Sequence, residues 1–265
     1  MRLCSIASGS SGNCIYVGND NAHFIVDCGI SGKKIEEGLN LLDLTLSDLD
    51  GIFVTHEHED HIHSLGVLHR KYPVPIYATK GTMDYIKGKK GMNNIPDEMF
   101  RVVKADESLN VSGIKVLPVK ISHDAAEPVA YRFDDGKKSA AVLTDLGKYD
   151  DYIINSMKGV NSIVLEANHD IHMLEVGPYR YPLKMRILSD KGHLSNDSAG
   201  QLLTCLLHDN INHILLGHLS KENNMAELAY ETVRMEVNLS DNSFNCSDFD
   251  LTVAFRDEPT RCFDV

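Results

Sequence analysis

The sequence has no apolar run long enough to cross a membrane. Among its 265 residues no stretch approaches the roughly 20 uninterrupted apolar residues that a membrane helix requires. The N-terminal residues 1–7 are too few and too polar for a signal peptide, because serine and glycine follow at once. We therefore expect a cytoplasmic protein.

Closely spaced cysteine pairs are also missing. The six cysteines include no C-x-x-C pair, and each stands among apolar or small neighbours. This usage predicts reduced, buried thiols rather than a disulfide framework or a cysteine-based metal site.

Basic residues are scarce relative to acidic ones. The chain carries 26 lysines and arginines against 38 acidic residues, for a net charge of −12. This balance argues against a protein that binds nucleic acid through a broad basic face. It does not exclude a nuclease, because two bound divalent ions would add about four positive charges where a phosphate must lie.

Internal repeats, low-complexity tracts and linkers are absent, so we expect one domain spanning residues 1–265. Strands are predicted at 3–7, 14–17, 23–27, 51–55, 76–78, 115–119, 130–133, 139–144, 162–166, 211–216 and 250–256. Helices are predicted at 32–42, 64–72, 81–92, 149–157, 196–208 and 222–237. Runs of strands with interspersed helices indicate an α/β (α+β) fold, a four-layer αββα sandwich of two stacked sheets covered by helices.

The main chemical signal follows the apolar strand at 51–55. The segment Thr55-His56-Glu57-His58-Glu59-Asp60-His61 places four metal-binding side chains within six positions. Imidazole nitrogen and carboxylate oxygen suit Zn²⁺, Mn²⁺ or Fe²⁺, and the mixture excludes none of them. Burying so many titratable groups together is costly unless cations compensate them. The segment therefore predicts a metal site.

Three other segments deliver a similar residue at the end of an apolar strand, namely His123, Asp145 and His218. With the first cluster they complete a set of five histidines and two aspartates. That number fills two ions and leaves room for solvent.

These motifs resemble the metallo-β-lactamase-fold superfamily, whose H-x-H-x-D-H string is intact here. The resemblance implies that His56, His58 and His123 hold one metal, that Asp60, His61 and His218 hold the second, and that Asp145 bridges them. It also implies that Asp27 orients a ligand imidazole from behind. A water shared by the two ions would then be deprotonated to a hydroxide nucleophile, with Asp60 orienting it or taking its proton.

Several differences between this chain and other branches of the superfamily narrow the range of possible substrates. We expect no export signal of the kind a secreted lactamase needs, and only 47 residues follow His218, too few for the helical domain of glutathione-thioester hydrolases. His58 stands where flavodiiron oxidoreductases have glutamate. The 73-residue interval from Asp145 to His218 is too short for the inserted domain of β-CASP nucleases.

Compact phosphodiesterases remain, and three segments point to them. The loop 8–13 could approach a phosphate with its amides. His193 precedes a helix that Ser195 or Asn196 caps, where it could bind a phosphoryl oxygen or protonate a leaving group. Polar residues also follow His218. The candidate substrate contacts in and around these segments are Ser8, Ser10, Ser11, Asn13, His169, Ser220 and Asn223.

The strings at 5–13, 191–196 and 217–224 resemble the YycJ (WalJ) family, bacterial relatives of tRNA 3′-processing nuclease regarded as DNA exonucleases. This resemblance implies a phosphodiesterase or exonuclease with nucleic acid, DNA rather than RNA, as substrate. It also allows a homodimer, as in the tRNA-processing relatives. The alternatives are a hydrolase of small phosphodiesters or esters, and an iron-dependent redox enzyme of the same fold.

Overall fold

Fourteen strands form two seven-stranded sheets in the computed structural model, which describes residues 1–265. The first sheet has the order β14-β1-β2-β3-β4-β5-β6 and the second β13-β12-β11-β10-β9-β8-β7. Each sheet is half antiparallel and half parallel. The strands are β1 (Arg2–Ala7), β2 (Cys14–Gly18), β3 (His23–Val26), β4 (Gly51–Phe53), β5 (Ile76–Thr79), β6 (Phe100–Val103), β7 (Leu109–Val111), β8 (Ile114–Lys120), β9 (Val129–Asp134), β10 (Ser139–Leu143), β11 (Ser162–Glu166), β12 (His213–Gly217), β13 (Asp250–Val253) and β14 (Phe263–Asp264).

Nine α-helices and two short 3₁₀ turns, Leu46–Asp48 and Asp97–Met99, connect the strands. The helices are α1 (Gly32–Asn40), α2 (Glu59–Ile62), α3 (Leu65–Lys71), α4 (Lys80–Gly88), α5 (Asp151–Met157), α6 (Ile171–Val176), α7 (Tyr181–Ile187), α8 (Asn196–Leu206) and α9 (Ala226–Leu239). Ser195 caps α8, since its side chain accepts a hydrogen bond from the amide of Ser198. None of these helices has both the length and the apolar character needed to span a bilayer.

The two sheets pack face to face through aromatic side chains. Phe24 and Phe53 of the first sheet meet Tyr131 and Phe133 of the second, with ring centroids 5.1 Å apart for Phe53 and Tyr131 and 6.0 Å apart for Phe24 and Phe133. These rings belong to a buried apolar cluster of 21 residues between the sheets. Such interdigitated packing fixes one sheet relative to the other.

Helices cover the outer face of each sheet. One buried cluster of 26 residues joins the first sheet to α1, α3 and α4, and another of the same size joins the second sheet to α5, α8 and α9. Helix, sheet, sheet and helix thus form four layers. The αββα sandwich predicted from the sequence is confirmed.

Three residues that follow strands adopt left-handed backbone conformations. Asp27 after β3 has φ 63°, Asp145 after β10 has φ 59°, and His218 after β12 has φ 56°. Non-glycine residues rarely take this conformation, and those that do are concentrated at functional sites. All three side chains belong to one cluster between the ends of the two sheets.

Candidate metal centre

The histidine motif follows β4 and is held by two neighbouring loops. The amide of Asn13 donates to the carbonyl of Asp60, and the amide of Cys28 donates to the carbonyl of His61, both at 2.8 Å. A Cβ atom at Gly29 would lie only 1.6 Å from the carbonyl oxygen of Asp60. Glycine is therefore required at this position for the motif to approach the neighbouring loop.

Two imidazoles of the motif, those of His56 and His58, and that of His123 in the loop after β8 form one cluster of nitrogen atoms, called the nitrogen cluster below. His58 Nδ1 lies 3.0 Å from His56 Nε2 and 3.3 Å from His123 Nε2. Burial lowers the pKa of both His56 and His123, so these rings are neutral near pH 7. Three ring nitrogens that converge in this way can bind a divalent ion.

A second cluster mixes imidazoles with carboxylates. Asp60 Oδ2 lies 3.5 Å from the Nε2 atoms of both His61 and His218. Asp145 lies between the two clusters, with Oδ2 3.2 Å from His61 Nε2 and Oδ1 3.8 Å from His123 Nε2. The structure therefore brings all seven predicted ligands together.

Partners behind the ligands orient their rings. His61 Nδ1 lies 2.7 Å from Asp27 Oδ2, and His123 Nδ1 lies 3.2 Å from the carbonyl oxygen of Gly192. Because these oxygens can only accept, both Nδ1 atoms must donate. Thr55 extends the arrangement: its hydroxyl donates to Asp27 and lies 3.0 Å from His56 Nδ1. These bonds direct the Nε2 atoms of all three rings toward the centre.

Glu166, at the end of β11, is a site residue that sequence reasoning did not identify as one. Its Oε1 accepts from the Nδ1 atoms of His193 and His218, each at 2.8 Å. Its Oε2 accepts from the amides of Leu146 at 2.7 Å and Leu194 at 3.3 Å. Burial alone would raise the pKa of Glu166, but these two imidazoles outweigh burial and hold the pKa well below its usual range. A carboxylate at the end of an apolar strand was the signal available in the sequence.

Positive charge is favoured in the second cluster. Burial opposes protonation of His61 and His218, but the surrounding carboxylates outweigh it and raise the pKa of His61 well above its usual range. Asp145, Asp60 and Glu166 likewise raise the pKa of His218 to about 10. Protons or a metal cation can supply this charge, and the two compete for the same nitrogen atoms.

The donor set fits a divalent metal. Asp145 Oδ2 is fully buried and accepts no hydrogen bond, although His61 Nε2 is its close neighbour. An unpaired buried carboxylate oxygen is costly, and a cation is the partner that its surroundings allow. Imidazole and carboxylate groups in this proportion suit Zn²⁺, Mn²⁺ or Fe²⁺.

His193 lies beside the two clusters without belonging to either of the three-ligand sets. Its ring centroid is 5.2 Å from those of His123 and His218. Since Nδ1 donates to Glu166, Nε2 is the ring nitrogen left for another partner. The side chain is 17% exposed, so it can be reached from the cleft.

The predicted substrate contacts divide into two groups. Ser10 and Ser11 are exposed and line a cavity that includes Asp60. Ser8 and Asn13 are buried instead: the Ser8 hydroxyl accepts from the amide of His218 at 2.8 Å, and the Asn13 side-chain oxygen accepts from the amide of Gly9 at 3.0 Å. These two residues support the site from inside the protein, contrary to the expectation that they contact substrate.

The remaining three candidates are also buried. Ser220 accepts from the amide and the side-chain nitrogen of Asn223, at 3.2 and 3.3 Å. His169 is 1% exposed, pairs with Ser195 through a β-bridge, and has no hydrogen-bond partner for either ring nitrogen. Burial lowers the pKa of His169 to about 4. Their positions differ from the sequence-based expectation, because a substrate cannot reach side chains enclosed in this way.

Comparison with known proteins identifies the family. A family model described as the β-lactamase superfamily domain matches residues 23–219. Exodeoxyribonuclease YycJ of Bacillus anthracis is 42% identical over 233 residues, which cover 88% of each chain. Exodeoxyribonuclease WalJ of Streptococcus pneumoniae serotype 2 is 40% identical, over 86% of this chain and 85% of its own. The chain belongs to the metallo-β-lactamase superfamily, in the YycJ/WalJ family. The resemblance inferred from the motifs is thus confirmed.

Solved structures share the metallo-β-lactamase architecture at low sequence identity. YhfI of Bacillus subtilis, a metallo-β-lactamase fold protein, superposes with a TM-score of 0.71 at 14% identity over 98% of each chain. Zn²⁺-bound PqqB from Methylobacterium extorquens gives a TM-score of 0.73 at 14% identity over the whole of both chains. At such identities these structures establish the fold of this YycJ/WalJ family member and not its substrate.

Proposed function

We propose that this member of the YycJ/WalJ family is a metal-dependent exodeoxyribonuclease. The observation that carries the proposal is the convergence of five imidazoles and two carboxylates. One of these carboxylates, Asp145, has a buried oxygen, Oδ2, that accepts no hydrogen bond. Relatives at 40–42% identity over most of the chain are exodeoxyribonucleases by name. Both point to hydrolysis of a phosphodiester with a divalent cation.

Two cations would be held by the two clusters. His56, His58 and His123 would hold one of them, Asp60, His61 and His218 would hold the other, and Asp145 would be a ligand available to both. Support comes from the ligand atoms of each set, which lie within 4.8 Å of one another. Zn²⁺ or Mn²⁺ fits this donor set, and Fe²⁺ also does.

The protein's own groups then have separate tasks. When bound, the cations lower the pKa of a water molecule and neutralise charge on the phosphate oxygens. Asp60, 27% exposed at its side chain, orients the attacking water and accepts its proton. When both ring nitrogens of His193 carry a proton, the ring donates the Nε2 proton to the leaving oxygen and keeps the Nδ1 proton bonded to Glu166, which fixes its orientation.

The net charge of the chain also fits an enzyme that attracts nucleic acid only at its metal centre. The chain has a net charge of −12, so a polyanion is repelled by most of its surface. Bound cations would provide a local attraction at the cleft. Binding of nucleic acid should therefore be weak at high ionic strength and focused at the metal centre.

The proposal is tested with purified, metal-loaded protein and end-labelled DNA and RNA, single- and double-stranded. We expect stepwise shortening of DNA from one end, and none with the Asp145→Asn variant, which removes the shared ligand. Turnover of bis(p-nitrophenyl) phosphate with no cleavage of any polymer would contradict the proposal and favour a small phosphodiester as substrate.

A further inference from the structure

A cavity adjoins the metal centre on the side of His123. Its volume is about 490 Å³, and it lies between the end of β8, the loop 121–128, and the start of α5. His123 forms part of its wall, so whatever fills the cavity is next to the nitrogen cluster. A space of this size accommodates a group as large as a nucleotide.

The carboxylates that line this cavity have partners, whereas two of its lysines have none. Glu127 Oε2 accepts from the amide of Gly81 at 2.8 Å, at the start of α4, and Asp150 caps α5. Both carboxylates are thus opposed by the positive end of a helix. Lys120 and Lys191, by contrast, are exposed and form no ion pair. The cavity therefore offers two uncompensated cationic side chains.

An aromatic ring completes the same wall. The hydroxyl of Tyr152 donates to Asp106 at 2.6 Å and accepts from the amide of Lys120 at 2.9 Å. These two bonds hold the ring in place, and the residue is 38% exposed. A fixed, accessible aromatic face beside cationic groups is the arrangement on which proteins stack bases of single-stranded nucleic acid.

The side of the metal centre at Asp60 is different. A second cavity, about 460 Å³, is lined by Asp60, Glu59 and Asp257, and its one lysine, Lys34, is paired with Asp257 at 3.0 Å. Although Glu59 is itself paired with Lys89, the three carboxylates of this lining outnumber its one lysine, and this excess of negative charge disfavours a phosphate backbone. A polyanion that reaches the metal centre is therefore favoured on the side of His123.

We propose that the cavity beside His123 binds a single-stranded segment of the DNA substrate, next to the phosphodiester that is cleaved. Lys120 and Lys191 contact its phosphates and Tyr152 stacks on a base. This inference rests on the proposed nuclease function and adds to it the position and strandedness of the bound polymer. Three other basic side chains, Lys87, Lys89 and Arg186, are less suited, since each is paired with a carboxylate.

The test measures binding of a fluorescent single-stranded oligonucleotide with phosphorothioate linkages to metal-loaded protein at several salt concentrations. In the double variant Lys120→Gln/Lys191→Gln, loss of two phosphate contacts should reduce the log–log salt slope by about 1.4. The matched control is Lys115→Gln/Lys137→Gln, which removes two exposed, unpaired lysines from the opposite end of the same sheet. We expect it to bind as the native protein does.

Tyr152 is tested separately. Tyr152→Leu should weaken binding of the single strand, whereas Tyr152→Phe, which keeps the ring, should retain most of the affinity. An unchanged salt slope in the lysine variant, equal binding by the leucine variant, or no binding by native protein would overturn the inference. If the native protein cleaves DNA and these variants cleave it at the same rate, the nuclease function stands and only the role of this cavity is rejected.

Discussion

The substitution Glu166→Gln tests how the buried carboxylate supports the metal centre. Glu166 accepts four hydrogen bonds, two from imidazoles and two from backbone amides. Glutamine has one oxygen and one NH₂ group at these positions, so one pair of donors must face another donor. Two unpaired buried donors cost about 2–6 kcal/mol in total.

A change of imidazole tautomer could relieve this clash between two donors, but only at a cost. His218 could accept from the glutamine by moving its proton to Nε2, the nitrogen atom that faces Asp60. That proton would occupy a metal-binding position. We therefore expect metal affinity to fall about 10- to 100-fold, as for other partners that orient a ligand, and the folded state to lose stability.

The matched control is Glu57→Gln, at another buried carboxylate, which lies in the histidine motif after β4. Glu57 accepts from the amide of Ala126 at 2.7 Å and from the hydroxyl of Thr82 at 3.3 Å. Glutamine fits here, because its oxygen can accept from the amide while its NH₂ donates to the hydroxyl. Metal affinity is measured by competition with a chromophoric chelator, and stability by denaturant unfolding. Equal metal affinities in the Glu166 and Glu57 variants would refute the reasoning.

Three further predictions follow from other residues of the site. His193→Asn should lower kcat on DNA about 10²- to 10⁴-fold but affect bis(p-nitrophenyl) phosphate much less, because nitrophenolate leaves without a proton; equal losses on both substrates would rule out the proton-donor role. Since the carboxylates raise the pKa values of His61 and His218, metal binding at pH 7 should release protons, which calorimetry in buffers of different ionisation enthalpy measures; binding heats independent of the buffer would contradict this. Burial lowers the pKa of His169 to about 4, so the folded state is stabilised above pH 6.5 and loses up to about 3 kcal/mol as the pH falls toward 4; in denaturant unfolding His169→Leu should show a smaller loss over this range, and an identical pH profile would exclude the effect.

The sequence predicted the layers and the seven converging residues because both depend on local patterns. Apolar strands that end on a histidine or an aspartate are visible one segment at a time. The ends of such strands meet between the two sheets, so the side chains converge once the fold is given. His123, Asp145 and His218 were found in this way, although they are far apart in the chain.

The functions of the supporting residues could not be predicted, because they depend on contacts between distant segments. Ser8 accepts from the amide of His218, and Glu166 receives His193 and His218, pairings that no local pattern shows. A carboxylate at the end of a strand has the same sequence signature whether it faces a metal or a histidine. Ser8 therefore looked like a substrate contact, and Glu166 was not singled out.

Some helix limits also differed for long-range reasons. The final long helix was predicted from residue 222 but begins at Ala226. Asn224 donates to the carbonyls of Ala167 at 2.9 Å and Asn168 at 3.1 Å, which holds the preceding segment in an extended loop against the site. The short helices α6 and α7 were not predicted, since neither is long enough to show a clear 3.6-residue period.

The most direct test of the account restores metal to chelated protein and follows DNA degradation against the number of metal equivalents per chain. The account predicts no exonuclease activity without metal and activity that saturates at two equivalents of Zn²⁺ or Mn²⁺. Native-rate degradation of DNA by protein shown to be metal-free would contradict it.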